Sequence, residues 1–144
     1  MPSFSQSSTL KLSQCHPDLV RVCVAVIQIY DVKVITGHRS HAEQEEAFLN
    51  GHSQLRAGQS HHNHSPSMAV DLAPWNKTLP HIRWHDVNQW KLMGALVVGV
   101  AHGMGIPLRW GGDWDGDWDF RDQSLFDPGH FELVVPAGDG GVLV

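Results

Sequence analysis

In the sequence SHHNHSPSMAVD, at residues 60–71, a histidine-rich polar loop leads into the short apolar run of a predicted β-strand. A second stretch, DPGH at residues 127–130, leads into another predicted strand. Two imidazoles and one carboxylate from such stretches are a typical ligand set of a catalytic zinc ion, which keeps its fourth coordination position for a water molecule. The two stretches therefore predict a zinc site held by a β-sheet.

Asp127 stands just before the histidine of the second stretch. A carboxylate beside a zinc site can take a proton from the water molecule and pass it to the leaving amine of a peptide bond. Asp127 is therefore the predicted general base and acid of a hydrolytic site.

The sequence around these stretches predicts both helices and strands, from apolar residues at helical spacing and from β-rich runs bounded by glycine or proline. The predicted elements are a helix from Pro17, a strand at 32–36, a helix at 41–50 capped by Ser40, a surface loop at 52–66, a strand at 68–73, a helix at 85–102, a glycine- and aspartate-rich loop after Trp110, and a last strand at 130–135. We expect an α+β fold, with helices packed on a small, largely antiparallel sheet and the zinc site at the sheet. Residues 1–144 are predicted to form one domain, with the serine-rich residues 1–14 loosely ordered.

The composition narrows the class of protein and of metal site. Eleven histidines and only two cysteines favour nitrogen and oxygen ligands over a cysteine-type structural zinc site. The formal net charge of -5 argues against a nucleic-acid partner. No apolar run reaches the roughly 18 to 20 residues of a membrane span, so stable membrane insertion is not expected. Residues 1–5 do not resemble the start of a secretory signal, which predicts synthesis in the cytoplasm.

Four sequence features together resemble a known family of peptidases. They are Ser-x-His followed by Ala-x-Asp, Asp-x-x-His-Phe-Glu-Leu near the end, Thr36-Gly37-His38-Arg39, and Trp110-Gly111-Gly112-Asp113-Trp114. From about His16 to Leu133, the chain resembles the zinc D-alanyl-D-alanine carboxypeptidases and L-alanyl-D-glutamate endopeptidases. Within that family it is most similar to the bacteriophage endolysins, which tend to have aspartate at the position of Asp127, where the carboxypeptidases have glutamate.

The resemblance implies roles for five residues. His62, Asp71 and His130 would bind the zinc ion. Asp127 would be the general base and acid. Arg39 would place its guanidinium near the scissile carbonyl, where it could stabilise the developing negative charge or bind a substrate carboxylate.

The first histidine ligand depends on which family pattern is applied. In the common pattern, Ser-x-His-x-x-Gly-x-Ala-x-Asp, the spacing before Asp71 selects His64. A longer variant, Ser-x-His-Asn-x-x-Pro-Ser-x-Ala-Val-Asp, matches residues 60–71 without a substitution and selects His62, which we prefer. His64 is then the reserve ligand, and both His61 and His64 are expected to lie in solvent.

The sequence leaves three further features open. Glu132 and His130 share one side of a strand, where Glu132 either supports the zinc site or is an exposed strand residue. His38 either lines the cleft or is an ordinary surface histidine. The alternating aspartates from Asp113 to Asp119 match a calcium loop poorly, and we interpret them with their tryptophans as a cleft wall, or else as a solvated acidic loop.

The resemblance implies a monomeric zinc endopeptidase that cuts the L-alanyl-D-glutamate bond of bacterial peptidoglycan, as a phage or prophage endolysin. Such a protein would act on the cell wall after release from the cytoplasm by another factor. The alternatives are a D-alanyl-D-alanine carboxypeptidase and a catalytically silent wall-binding domain. A carboxypeptidase needs a cation at a closed cleft end, and Arg39 and Arg56 are the only candidates expected nearby, which favours the endopeptidase.

Overall fold

The computed structural model of the chain describes residues 2–121 and 125–134. Within these residues the chain forms four α-helices and four strands. The helices are α1 (Gln6–Leu12), α2 (Pro17–Ile27), α3 (His41–Leu49) and α4 (Val87–Gly103), and the strands are β1 (Val32–Thr36), β2 (Ala69–Pro74), β3 (Leu108–Trp110) and β4 (His130–Leu133). The predicted α+β class is confirmed.

The four strands form an antiparallel sheet in the order β1-β2-β4-β3. Asp71 on β2 is directly opposite His130 on β4, and Arg109 on β3 is directly opposite Glu132 on β4. Directly opposite residues of an antiparallel pair share a face of the sheet, and so do residues two apart on one strand. The four polar side chains therefore lie on one face, which carries the site.

The other face of the sheet carries the hydrophobic core. Val70 is opposite Phe131, Phe131 is opposite Trp110, and all three residues are buried. α4 packs on β2 and β3, and α2 packs on α4. Gly94 on α4 allows this close packing, because a side chain there would overlap the Trp110 ring. The core thus fixes the two central strands and, with them, the polar face.

The N-terminal segment is more ordered than the sequence indicates. Residues 6–12 form α1, which packs on the edge strand β1. Ser8 is buried, and its hydroxyl accepts a hydrogen bond of 3.0 Å from the Val34 N–H. Leu12 belongs to the hydrophobic core. The expectation that residues 1–14 are loosely ordered is therefore wrong for this helix, because its serines cap the helix and satisfy an edge-strand N–H instead of marking a flexible segment.

The remaining elements are found with small shifts at their ends. The Ser40 hydroxyl accepts a hydrogen bond of 3.0 Å from the Glu43 N–H and caps α3 as predicted. The loop at 52–66 contains one 3-10 turn, at His61–Asn63. The last strand ends at Leu133, and its predicted final residue, Val135, lies outside the described residues. Across the described ranges, no helix is long and apolar enough to span a membrane.

Candidate metal and catalytic site

His62 is held in one orientation by the turn near the end of the long loop. The Ser60 hydroxyl accepts a hydrogen bond of 3.1 Å from the His62 N–H and starts this 3-10 turn. The imidazole is 2 % exposed, and its Nδ1 lies 2.7 Å from the Gly37 carbonyl oxygen. Because a carbonyl oxygen only accepts a hydrogen bond, Nδ1 carries a proton, and Nε2 is directed towards Asp71. His62 therefore presents Nε2 as a metal ligand would.

Gly37 follows β1 and supplies the carbonyl that orients His62. A side chain at Gly37 would overlap the carbonyl oxygen of Lys11, near the end of α1. The Gly37 carbonyl also accepts a hydrogen bond of 3.2 Å from the Ser67 hydroxyl. The contact between α1 and the exit of β1 therefore requires glycine, and this contact helps to position the site.

Asp71 and His130 complete a group of three possible ligands. Asp71 Oδ2 lies 3.2 Å from His62 Nε2, and Asp71 Oδ1 lies 3.1 Å from His130 Nδ1. The three residues can place one ligand atom each within 4.8 Å of one another. His62 Nε2 is buried and has no hydrogen-bond partner among the described residues, an arrangement that costs free energy unless the nitrogen binds something. A buried imidazole nitrogen without a hydrogen-bond partner, beside a carboxylate oxygen and a second imidazole, fits a divalent zinc ion.

Glu132 determines which nitrogen of His130 faces Asp71. Glu132 is buried, and its Oε1 lies 2.8 Å from His130 Nε2. Burial alone would lower the pKa of His130, but the hydrogen bonds and charges of Asp71 and Glu132 raise it to about 10. Burial likewise opposes ionisation of Asp71, but His62 and His130 outweigh this effect and hold its pKa well below its usual value. Without a metal ion, His130 is thus a cation between two carboxylates, and a metal ion at Nδ1 would replace one of its protons.

Asp127 lies in the same cleft, in the turn before β4. The His130 N–H donates a hydrogen bond of 3.1 Å to the Asp127 carbonyl, and the Asp127 N–H donates one of 2.8 Å to the Gly111 carbonyl. A side chain at Gly111 would overlap the Asp127 carbonyl, so this turn also depends on glycine. Burial of the Asp127 carboxyl away from water raises its pKa, and the negative charge of Asp71 raises it further. A carboxyl with raised proton affinity is suited to accept and return a proton.

Arg39 reaches the site from the exit of β1 and is held by Gln44. Its Nη2 lies 3.8 Å from Asp71 Oδ2, and its Nη1 donates a hydrogen bond of 2.9 Å to Gln44 Oε1. Gln44 on α3 is fully buried, and its amide nitrogen donates to the Ser53 hydroxyl at 2.9 Å and to the Leu55 carbonyl at 2.6 Å. Gln44 therefore joins the arginine to the loop wall of the cleft. The sequence carries no signal for this role, because a glutamine on a short polar helix resembles a surface residue.

The site opens into a cleft of about 970 Å³. Its lining combines the polar face of the sheet with residues 51–55 and 59–62 of the long loop, and with Trp114, Asp115 and residues 125–127. The Trp114 ring lies 5.6 Å from the His130 ring. The predicted wall of tryptophan and aspartate thus corresponds to Trp114 and Asp115, whereas His38 does not line this cleft.

The arginines near the site differ from those expected. Arg56 is ion-paired with Glu45 at 2.6 Å, and its guanidinium lies 4.8 Å from the centre of the Phe48 ring on α3. It does not line the cleft, whereas Arg109 on β3 does. The expectation of Arg56 as a candidate cation at the end of the cleft is wrong, because the long loop folds back onto α3 and carries this side chain away.

His61 also differs from its prediction as a solvated histidine. It is half-buried, and its Nε2 lies 3.4 Å from Glu132 Oε2, since the 3-10 turn directs it towards the sheet. The His64 ring lies 6.1 Å from the His61 ring, and His64 is not part of the three-ligand group.

The aspartate run beside the cleft is compactly folded. Asp113, Asp115 and Asp117 can place one carboxylate oxygen each within 4.8 Å of one another. Asp113 is buried, and its Oδ2 accepts a hydrogen bond of 2.9 Å from the Trp118 N–H. Burial, and then the adjoining Asp115 and Asp117, raise the pKa of Asp113, although the Trp118 N–H opposes this effect. The run is therefore not simply a solvated acidic loop.

Comparison with known proteins identifies the family of the chain. Residues 2–134 match the model of a family described as phage L-alanyl-D-glutamate peptidase. The chain is 29 % identical, over 136 residues, to the L-alanyl-D-glutamate peptidase of Escherichia phage T5, an alignment that covers 91 % of this chain and 97 % of that protein. Its fold is similar to the crystal structure of the Serratia marcescens L-Ala D-Glu endopeptidase ChiX, with a TM-score of 0.73, 28 % identity, and coverage of 92 % of this chain and 91 % of that one.

Proposed function

This chain belongs to the family of phage L-alanyl-D-glutamate peptidases, and we propose that it is a zinc-dependent endopeptidase, a phage or prophage endolysin that hydrolyses the bond between L-alanine and D-glutamate in bacterial peptidoglycan. The observation that carries this proposal is the meeting of His62, Asp71 and His130 in a cleft that also contains Asp127. A silent wall-binding domain would have no need of a carboxyl group with raised pKa beside three metal ligands.

His62, Asp71 and His130 would hold the zinc ion through two nitrogens and one oxygen. When bound, zinc in such a site polarises the scissile carbonyl and makes a water molecule more acidic. The surrounding residues contribute orientation, since the Gly37 carbonyl keeps the His62 proton on Nδ1 and Glu132 holds His130 through Nε2.

Asp127 and Arg39 would act on the reacting atoms. Asp127 takes a proton from the attacking water and returns it to the amide nitrogen of D-glutamate as the carbon–nitrogen bond breaks. Arg39, held by Gln44, places its guanidinium near the carbonyl oxygen, whose growing negative charge it stabilises. The products are the carboxylate of L-alanine and the free amine of D-glutamate.

Digestion of purified peptidoglycan tests the zinc dependence directly. A chelator should abolish the release of soluble fragments, and one equivalent of zinc per chain should restore it. Circular dichroism of the metal-free protein shows whether loss of activity reflects loss of the metal or loss of the fold. Full activity after complete metal removal would contradict the proposal.

We also propose that the protein acts as a monomer and reaches the peptidoglycan from the bacterial cytoplasm after release by another factor. Support for a monomer is that the ligands, Asp127 and Arg39 all come from one chain. Light scattering of the purified protein tests the oligomeric state. Lysis of cells that express it with and without a membrane-permeabilising agent tests the need for release.

A further inference from the structure

Arg109 ends a row of polar side chains that crosses the cleft floor. The strand register places Arg109 opposite Glu132 and Asp71 opposite His130, all on one face of the sheet. Neighbouring strands are about 4.8 Å apart. Arg109 is therefore one strand away from His130, within reach of a group bound beside the proposed metal.

The Arg109 guanidinium has hydrogen-bond donors available to a ligand. Its side chain is 44 % exposed, and its Nη1 lies 3.5 Å from Glu132 Oε2, at the outer limit of a hydrogen bond. Glu132 does not depend on this contact, because Oε1 already faces His130 at 2.8 Å and Oε2 faces His61 at 3.4 Å. Arg109 lines the cleft, where its planar N–H groups suit a carboxylate.

Arg39, the other arginine among the described residues that line the cleft, is already engaged. Its guanidinium contacts Gln44 on one side and faces Asp71 on the other. The floor of the cleft therefore has an engaged arginine, Arg39, beside Asp71 on β2 and an available arginine, Arg109, on β3.

The proposed substrate is charged unequally on the two sides of its scissile bond. L-Alanine is joined through its amine to the uncharged lactyl group of the glycan. D-Glutamate continues the stem peptide through its γ-carboxyl group and so keeps a free α-carboxylate next to the scissile nitrogen. Only the leaving side thus offers an anion close to the reacting centre.

We propose that Arg109 forms the subsite that binds the α-carboxylate of D-glutamate. The leaving part of the stem peptide then lies over β4 and β3, and Arg109 determines both the direction of the substrate and the preference for a charged glutamate. This inference rests on the proposed function.

Two matched muramyl peptides test this subsite, one with the free α-carboxylate of D-glutamate and one with the α-carboxamide in its place. Wild-type kcat/KM should be at least about tenfold higher for the carboxylate, since a hydrogen bond to a charged group contributes that much or more. Arg109→Gln should lose about tenfold to hundredfold on the carboxylate substrate and little on the carboxamide. Arg21→Gln is the matched control, because Arg21 is paired with Asp18 on α2 and does not line the cleft.

The possible outcomes separate this inference from the proposed function. If Arg109→Gln loses kcat/KM equally on both substrates, Arg109 only supports Glu132 and the subsite is overturned. This holds whatever the zinc content and melting temperature of the variant. Equal wild-type rates on the two substrates would also overturn it. A folded, zinc-loaded wild-type protein that cuts neither substrate would instead refute the proposed function.

Discussion

His62 and His64 stand in the same loop, yet their imidazoles have different surroundings. His62 is buried with Nε2 beside Asp71, whereas His64 lies outside the ligand group. We expect His62→Ala to lose stoichiometric zinc and His64→Ala to keep it, because only the first variant removes a ligand. Metal analysis of the two purified variants measures this. The opposite pattern would place the ligand at His64.

Asp127 should be needed for turnover but not for the fold or the metal. Asp127→Asn keeps the shape of the side chain and the backbone turn, so the zinc content and melting temperature should stay near wild type. Turnover of peptidoglycan should fall by about 10² to 10⁴, the usual contribution of general acid–base catalysis. Glu46→Gln on the exposed side of α3 is the control. Near-normal turnover in zinc-loaded Asp127→Asn would show that another group handles the proton.

The metal-free protein should lose stability as pH rises from about 6.5 towards 10. The folded-state pKa of His130, about 10, is above the ordinary value of 6.5, so the folded chain holds this proton more tightly than the unfolded chain. The tighter binding of this proton adds to the free energy of unfolding. The added stability is fully present below the unfolded-state pKa and is lost as pH rises through the folded-state pKa. Melting temperatures of chelator-treated wild type and His130→Gln measure it. A wild-type decline no steeper than that of the variant would refute the carboxylate–imidazolium contacts.

At the level of single residues, the sequence predicted that Asp71, His130 and Asp127 lie close together, because each lies at a strand or just before one in the spacing of the family motifs. It did not reveal whether Glu132 is buried, since that depends on which side chains cover the same face of the sheet. His61 covers it from a turn whose path the local sequence does not determine.

Among the elements, α3 connects the cleft wall to the reacting centre through Gln44. Gln44→Met removes the hydrogen bond to Arg39 and those to the loop, so kcat should fall by about tenfold. If Gln44 acts through Arg39, the same change should have little further effect on kcat in an Arg39→Met background. Gln28→Met, at an exposed position after α2, is the control. Additive losses in the double variant would indicate a general structural role.

Apolar periodicity predicted α2, β1, β2 and α4, because each of these elements has a long or regular buried side. It did not predict α1, since a helix of seven residues has little stability of its own and depends on packing against β1. The strand order could not be predicted either. β2 and β4 are far apart in sequence, and local patterns do not state which strands pair.

For the whole molecule, the sheet separates packing from chemistry. Phe131 and Trp110 face the helices, while the alternating residues His130, Glu132 and Arg109 face the cleft. This alternation can be expected for any strand that is covered on one side. The second arginine of the cleft could not be expected, because Arg109 enters the cleft from β3, while Arg56 lies against α3 with the folded loop.

The identity of the bond that is cut tests the proposed endopeptidase activity most directly. Purified peptidoglycan is digested with the zinc-loaded protein, and the products are identified by mass spectrometry after labelling of new amino termini. We predict new amino termini on D-glutamate, with little release of free D-alanine and little hydrolysis of the dipeptide D-alanyl-D-alanine. Release of D-alanine without any D-glutamate amino termini would contradict the endopeptidase and favour a carboxypeptidase.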